Sequence, residues 1–200
     1  MNIGVLVSGA GTNLQALLDA EARGALGAGR ITIVISNKSG APALDRASRA
    51  GKPALAIDHR GLARPAFEDL LLAALREVGV ELVVLAGFMR ILTPHFLDQF
   101  PGRVINTHPS LLPAFPGTDA PGQAIAAGAH ESGVTVHVVD ASVDGGPILV
   151  QVPVPVLAGD TPASLHLRIQ AAEHVLLPRT VREIADGRIV LASPRPPRAE

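Results

Sequence analysis

Short apolar runs separated by amphipathic stretches fill the first half of the chain. "NIGVLV" at 2–7, "ITIVIS" at 31–36, "PALAID" at 53–58, "ELVVLAG" at 81–87 and "RVINTH" at 103–108 are each six or seven residues long and nearly unbroken. That is the pattern of strands buried on both faces. The intervening segments carry helical spacing instead. "NLQALLDAEARG" places Leu14, Leu17 and Leu18 on one face and closes at Gly24, a second helix is predicted over 41–50, and "RPAFEDLLLAALREVG" runs from Pro65 near its start to Gly79 at its end. Strands joined by helices of this length imply right-handed parallel crossovers and a sheet covered on both faces.

After residue 130 the pattern changes. "GVTVHVVD" at 133–140 and "PILVQVPVPV" at 147–156 are linked by the turn-rich "ASVDGG", which predicts an antiparallel pair. A last helix is expected from Pro162 to about Ala185, following Thr161 with Asp160 beside it as a cap candidate. The expected fold class is therefore α/β: an open, mostly parallel Rossmann-like sheet with helices on both faces and an antiparallel C-terminal strand pair. With no repeats and no clear linker, 1–200 reads as one domain, with 188–200, ending "SPRPPRAE", as a mobile tail.

Composition narrows the function classes. At 48% hydrophobic and 18% charged, the chain has enough apolar material for a large core, and its net charge of −1 argues against a protein that lives on nucleic acid. The absence of cysteine removes disulfides, thiolate metal sites and a cysteine nucleophile together. The start enters a strand without a basic or long apolar leader, and no run approaches the roughly 18 apolar residues of a membrane helix. A soluble, cytoplasmic protein is expected, with no membrane partner.

Chemistry concentrates where strands end. "SGAGTN", Ser8 to Asn13, lies between the first strand and first helix, where glycine-rich backbone can bring N–H groups to an anion. A tight turn with no ligand fits the same residues. A dinucleotide fingerprint is excluded, because Leu14 stands where the third glycine belongs, and no Gly-Lys-Ser/Thr completes a P-loop. A single phosphate on Gly11, Thr12 and Asn13 fits better.

Of the seven histidines, His59, His95, His130, His166 and His174 sit in surface-like or helical contexts, and none forms an HxxxH or HExxH pair, so no metal site is expected. His108 is different. It follows Asn106 by two on a strand, so both side chains point the same way and can reach one ligand atom, as a pair of donors to a developing oxyanion would. A strand end hydrogen-bonded into its own loop is the alternative. Asp144, in "VDGG", is either a carboxylate brought to His108 or a turn-stabilising aspartate; His137, on the neighbouring strand, is a secondary candidate or a core-edge histidine.

"SGAGTNLQALLDA", "ISNK", "VVLAGFMRILTPHF", "INTHPSLLPAFPG", "GVTVHVVDASVDGGPIL" and Glu173-His174 occur in this order and spacing. Together they resemble the glycinamide ribonucleotide transformylase family, the purine-synthesis members of the 10-formyltetrahydrofolate transferases, from Met1 to about Gly187. The resemblance implies a formyltransferase fold and transfer of a formyl group from 10-formyltetrahydrofolate, as co-substrate and without metal, to the amine of 5'-phosphoribosylglycinamide. It implies that Gly11, Thr12 and Asn13 bind the substrate phosphate and Glu173 its ribose. Arg64, Met89, Arg90, Ile91 and Leu92 fall to the folate, with Asn106 at the formyl group and the backbone around Asp140 to Asp144 over the pterin. His108 is implied as catalytic acid, its pKa raised by Asp144. One stretch departs: Asp119, in Thr118–Pro121, stands where many relatives carry histidine, and no catalytic role is expected of it. The implied partners are small molecules, with the chain a monomer or homodimer. The competing readings are a tRNA or sugar formyltransferase, a formyl-folate hydrolase, and a non-catalytic nucleotide-binding module.

Overall fold

A computed structural model describes residues 1–191. Among these residues, seven strands form one sheet in the order β3-β2-β1-β4-β5-β6-β7. The strands are β1 (Asn2–Val7), β2 (Arg30–Ser36), β3 (Ala54–Ala56), β4 (Leu82–Leu85), β5 (Val104–His108), β6 (Glu131–Val138) and β7 (Ile148–Pro155). The first five pair in parallel; β6 runs antiparallel to β5, and β7 antiparallel to β6. This is the expected mostly parallel sheet with its antiparallel C-terminal pair.

Strand alternation sorts the core into two layers. Ile3, Val5 and Val7 of β1 pack with Leu14 and Leu17 of helix α1 (Thr12–Ala22), Ala43 and Ala47 of α2 (Pro42–Arg49) and Leu165, Ile169 and Leu177 of α6 (Pro162–Ala185). Leu6 points to the other face, where Phe67, Leu71 and Leu75 of α3 (Arg64–Glu77) and Phe96 of α4 (Pro94–Leu97) cover it. Strand order reverses between β1 and β4, so the loops leaving those two strands diverge and open a crevice at the sheet's carboxyl edge, where open α/β sheets bind ligands.

Some boundaries differ from the periodic reading. β3 is only three residues long, all exposed at the sheet's edge, because a single neighbour leaves little to hold a longer strand. Two short helices, α4 and α5 (Ala120–Ala126), begin with proline in their first turn and are too brief to show a 3.6-residue period. At the start of α6 the cap is Thr161, in a reciprocal capping box with Ser164. Asp160 accepts from the Ser164 hydroxyl and pairs with Arg168 at 2.7 Å instead of capping. Most of the tail lies outside the described residues. Within 188–191, the Arg188 and Ile189 amides donate to the Glu183 carbonyl, and Leu191 is buried against the core.

Candidate active site

The carboxyl ends of β4 and β5 open into a cavity of about 780 Å³. β5 delivers Asn106 and His108 to its floor, two residues apart on one face of the strand. The turn between β6 and β7 brings Asp144 to the same place, with His137 of β6 opposite Asn106 in the ladder. Asp144 has φ of 54°, a left-handed conformation that aspartate tolerates better than most side chains and that concentrates at functional sites.

The ring nitrogens of His108 are differentiated. Nε2–H donates to the Phe115 carbonyl at 2.8 Å, and Nδ1 lies 3.4 Å from Asp144 Oδ2. The proline-rich loop after His108 therefore acts through a specific bond. The loop is itself tied to β6 and β7: Leu112 N–H donates to Thr135 Oγ1, and Gln151 Nε2 to the Leu112 carbonyl. Asp144 Oδ2 also accepts the Gly117 N–H at 2.8 Å, which fixes the carboxylate from the far end of the same loop.

His137 is 2% exposed, and burial pushes its pKa below the ordinary 6.5, with the Val138 carbonyl and Asp144 opposing that shift. A neutral ring agrees with its contacts. Nδ1–H donates to the Val138 carbonyl at 3.1 Å, which leaves Nε2 to accept from Asn106 Nδ2 at 3.3 Å. Asp144 Oδ1 is 3.7 Å from that nitrogen and finds no proton there. His137 thus sets the direction in which Asn106 presents its amide. A lone histidine on a strand gives no such signal; its partner across the ladder does.

Met89, Arg90, Ile91 and Leu92 line one wall, and Asp140, Ser142 and Val143 the opposite rim. Met89, Ile91 and Val143 are exposed apolar side chains, the kind of surface a flat heterocycle covers. Asp119 also lines the cavity, but its carboxylate is engaged in capping α5 through the Gly122 N–H. His166, set aside as helical by its sequence context, reaches the rim as well.

Gly11, Thr12, Asn13 and Glu173 lie behind this floor and do not line it. Glu173 is 5% exposed; Thr107 Oγ1, at the cavity floor, donates to one of its oxygens at 3.2 Å and Asn13 Nδ2 to the other at 3.3 Å. Burial pushes its carboxyl pKa above the ordinary 4.5 against the opposing effect of these two donors. Gly11, with φ of +73°, starts α1 without a side-chain cap, so the first-turn N–H groups of that helix remain available to an anion. A side chain at 11 would also meet Ala43 Cβ at 2.6 Å. Gln170 of α6 donates to Thr12 Oγ1 at 3.0 Å, a contact with no local sequence signature because the residues are 158 apart.

Arg64 stands apart. It is exposed in the first turn of α3 and does not line the cavity, although Glu68, one turn along the same helix, bonds to Thr93 at the end of the Met89–Leu92 wall. Among the described residues, no three His, Asp or Glu side chains come together as a cation site. No helix among them is long and apolar enough to cross a membrane.

Fold and site together define an open α/β protein whose ligand crevice, at the strand carboxyl ends, carries a polar triad under apolar walls. A model of the family described as formyl transferase matches residues 1–181. The chain belongs to that family. The phosphoribosylglycinamide formyltransferase of Escherichia coli is 42% identical over 194 residues, covering 94% of this chain and 89% of that protein. The crystal structure of glycinamide ribonucleotide transformylase 1 from Symbiobacterium toebii superposes with a TM-score of 0.93 at 49% identity, covering 96% of this chain and 91% of that one. The trifunctional purine biosynthetic protein adenosine-3 of Drosophila pseudoobscura is 48% identical over 92% of this chain, which spans only 14% of that relative's length.

Proposed function

We propose that this chain transfers the formyl group of 10-formyltetrahydrofolate to the amine of 5'-phosphoribosylglycinamide, giving formylglycinamide ribonucleotide and tetrahydrofolate in purine synthesis. The observation that carries the reading is the convergence of Asn106, His108 and Asp144 on the floor of an apolar cavity that is linked through Thr107, Glu173 and Asn13 to the uncapped start of α1. One end suits a substrate phosphate and the other a reacting carbonyl.

In this assignment the first-turn N–H groups at Gly11, Thr12 and Asn13 hold the phosphate, and Glu173 accepts from the ribose. The Met89–Leu92 wall and the Asp140 rim hold the formyl donor, and Arg64, which lies outside the cavity lining, is assigned to the donor by the family resemblance. The substrate amine attacks the formyl carbon. Asn106, with one amide hydrogen spent on His137, offers the other to the oxyanion, and His108 donates from Nδ1. Each such donor contributes about 10²–10³-fold to the rate. As the tetrahedral species collapses, the bond to the folate nitrogen breaks; that nitrogen gains a proton while the attacking amine loses one, so the step is proton-neutral. His108 Nδ1, within reach of both the cavity and Asp144, is the group placed to relay it. We place the protein in the cytoplasm, as a monomer or homodimer acting on small molecules and not on nucleic acid or membrane.

The test is formyl transfer by the purified protein with a chelator present. Turnover that requires the glycinamide nucleotide is the expected result. Deformylation of the folate without it would point to a hydrolase, and nucleotide binding with no reaction to a binding module.

A further inference from the structure

Glu68 has no part in the assignment above, yet it is 1% exposed one turn into α3, and no Lys, Arg or His pairs with it among the described residues. A buried carboxylate without a cation has to be hydrogen-bonded to be tolerable. Both of its oxygens are spent on one residue: Oε1 accepts the Thr93 N–H at 2.8 Å and Oε2 the Thr93 hydroxyl at 2.5 Å. Thr93 directly follows the Met89–Leu92 wall and is the first residue outside α4, a helix that its side chain leaves uncapped.

The other end of that wall is held in a matching way. Met89 N–H donates to Ser8 Oγ at 2.8 Å, and the Ser8 hydroxyl donates to the buried Asn37 side chain at 2.6 Å. Between these two anchors, the backbone of Arg90, Ile91 and Leu92 makes no hydrogen bond to the rest of the described chain. Leu92 is buried and fixes the segment from below, while Met89 and Ile91 are 70% and 59% exposed. The wall is thus a short span hung between Ser8 and Glu68.

We infer that Glu68 is a positioning residue for the formyl donor, holding through Thr93 the cavity wall on which that donor lies. The inference rests on the assignment of this wall to the donor. It makes Glu68 specific for one of the two substrates, because the phosphate and ribose groups meet α1 and α6 on the opposite side of the sheet.

The test is steady-state kinetics with each substrate varied in turn, direct binding of 10-formyltetrahydrofolate, and thermal unfolding as a control. Losing a charge-assisted bond of this kind corresponds to about a 10-fold effect. Glu68→Ala is expected to raise KM and Kd for the formyl donor about 10-fold while leaving KM for the nucleotide unchanged. Thr93→Ser keeps both donors and should restore parental values, whereas Thr93→Val, which keeps the N–H bond, should give a smaller rise. An unchanged donor KM in Glu68→Ala, or an equal rise for both substrates, overturns the inference. If Glu68→Ala does not fold, an unchanged donor KM in Thr93→Val overturns it equally. A parent protein that binds no formyl-folate would remove the functional reading as well, whereas tight binding by parent and variant alike removes this inference alone.

Discussion

Because the Phe115 carbonyl already takes the proton of His108 Nε2, only Nδ1 can serve both Asp144 and a ligand in the cavity. Asp144 in turn is oriented by the Gly117 N–H and receives no proton from the neutral His137, so its charge is directed at His108. Asp144→Asn keeps the shape of the side chain but replaces that charge with an amide. The expected result is a fall in kcat of about 10²-fold, with KM for the nucleotide unchanged, because Glu173 and the start of α1 lie behind the floor. Parental kcat in the variant would remove Asp144 from the mechanism. Asn106 and His108 could be read from sequence because a strand's two-residue period puts both on one face, and the D-G-G turn marked Asp144 as mobile enough to reach them. His137 was visible only as a secondary candidate. Its importance comes from facing Asn106 across the β5–β6 ladder, a pairing that strand patterns alone do not specify.

The β6–β7 connection shows how an element can set a side chain. Its second glycine, Gly146, approaches the Val138 carbonyl so closely that any side chain would overlap it. Gly146→Ala must therefore push the turn off β6, and Asp144 sits two residues upstream. A loss of stability of about 1–3 kcal/mol is expected from such overpacking, together with a drop in kcat as the carboxylate leaves the Gly117 N–H. Thermal unfolding and kinetics on one preparation check both. A variant that unfolds earlier yet turns over normally would show that the turn yields without moving Asp144. The longer elements were legible for a plain reason: α1, α3 and α6 each span several turns, enough for an apolar stripe to repeat, and α6 carries a side-chain cap at Thr161. α4 and α5 are too short for any stripe. The edge strand β3 was overextended because an apolar run does not reveal how many neighbours it will find.

Across the whole molecule, alternating strands and helices implied the layered sheet, but periodicity says which face is buried and not against what. The joining of Asn13 to Glu173, 160 residues later, arises only when α6 folds back on α1. That packing also buries ionisable groups, and two of them make stability depend on pH in opposite directions. Glu173 has a raised carboxyl pKa, so the folded chain holds a proton that the unfolded chain releases above about 4.5. Its contribution is full below 4.5 and is lost as pH rises through the folded value. His137 has a depressed pKa, so the unfolded chain takes up a proton below 6.5 that the folded chain resists. Its contribution is full above 6.5 and is lost as pH falls through the folded value. The Glu173 slope begins at 4.5 and lowers stability as pH rises, whereas the His137 slope begins at 6.5 and lowers stability as pH falls. Replacement separates them. Relative to the parent, Glu173→Gln should gain melting temperature as pH rises from 4.5, and His137→Gln should gain as pH falls from 6.5. Thermal unfolding in steps from pH 4.5 to 8 reads both differences from the same series. A Glu173→Gln difference that stays constant with pH would mean that the Asn13 and Thr107 donors offset the burial of the carboxylate completely. A constant His137→Gln difference would mean that Asp144 does the same for the imidazole.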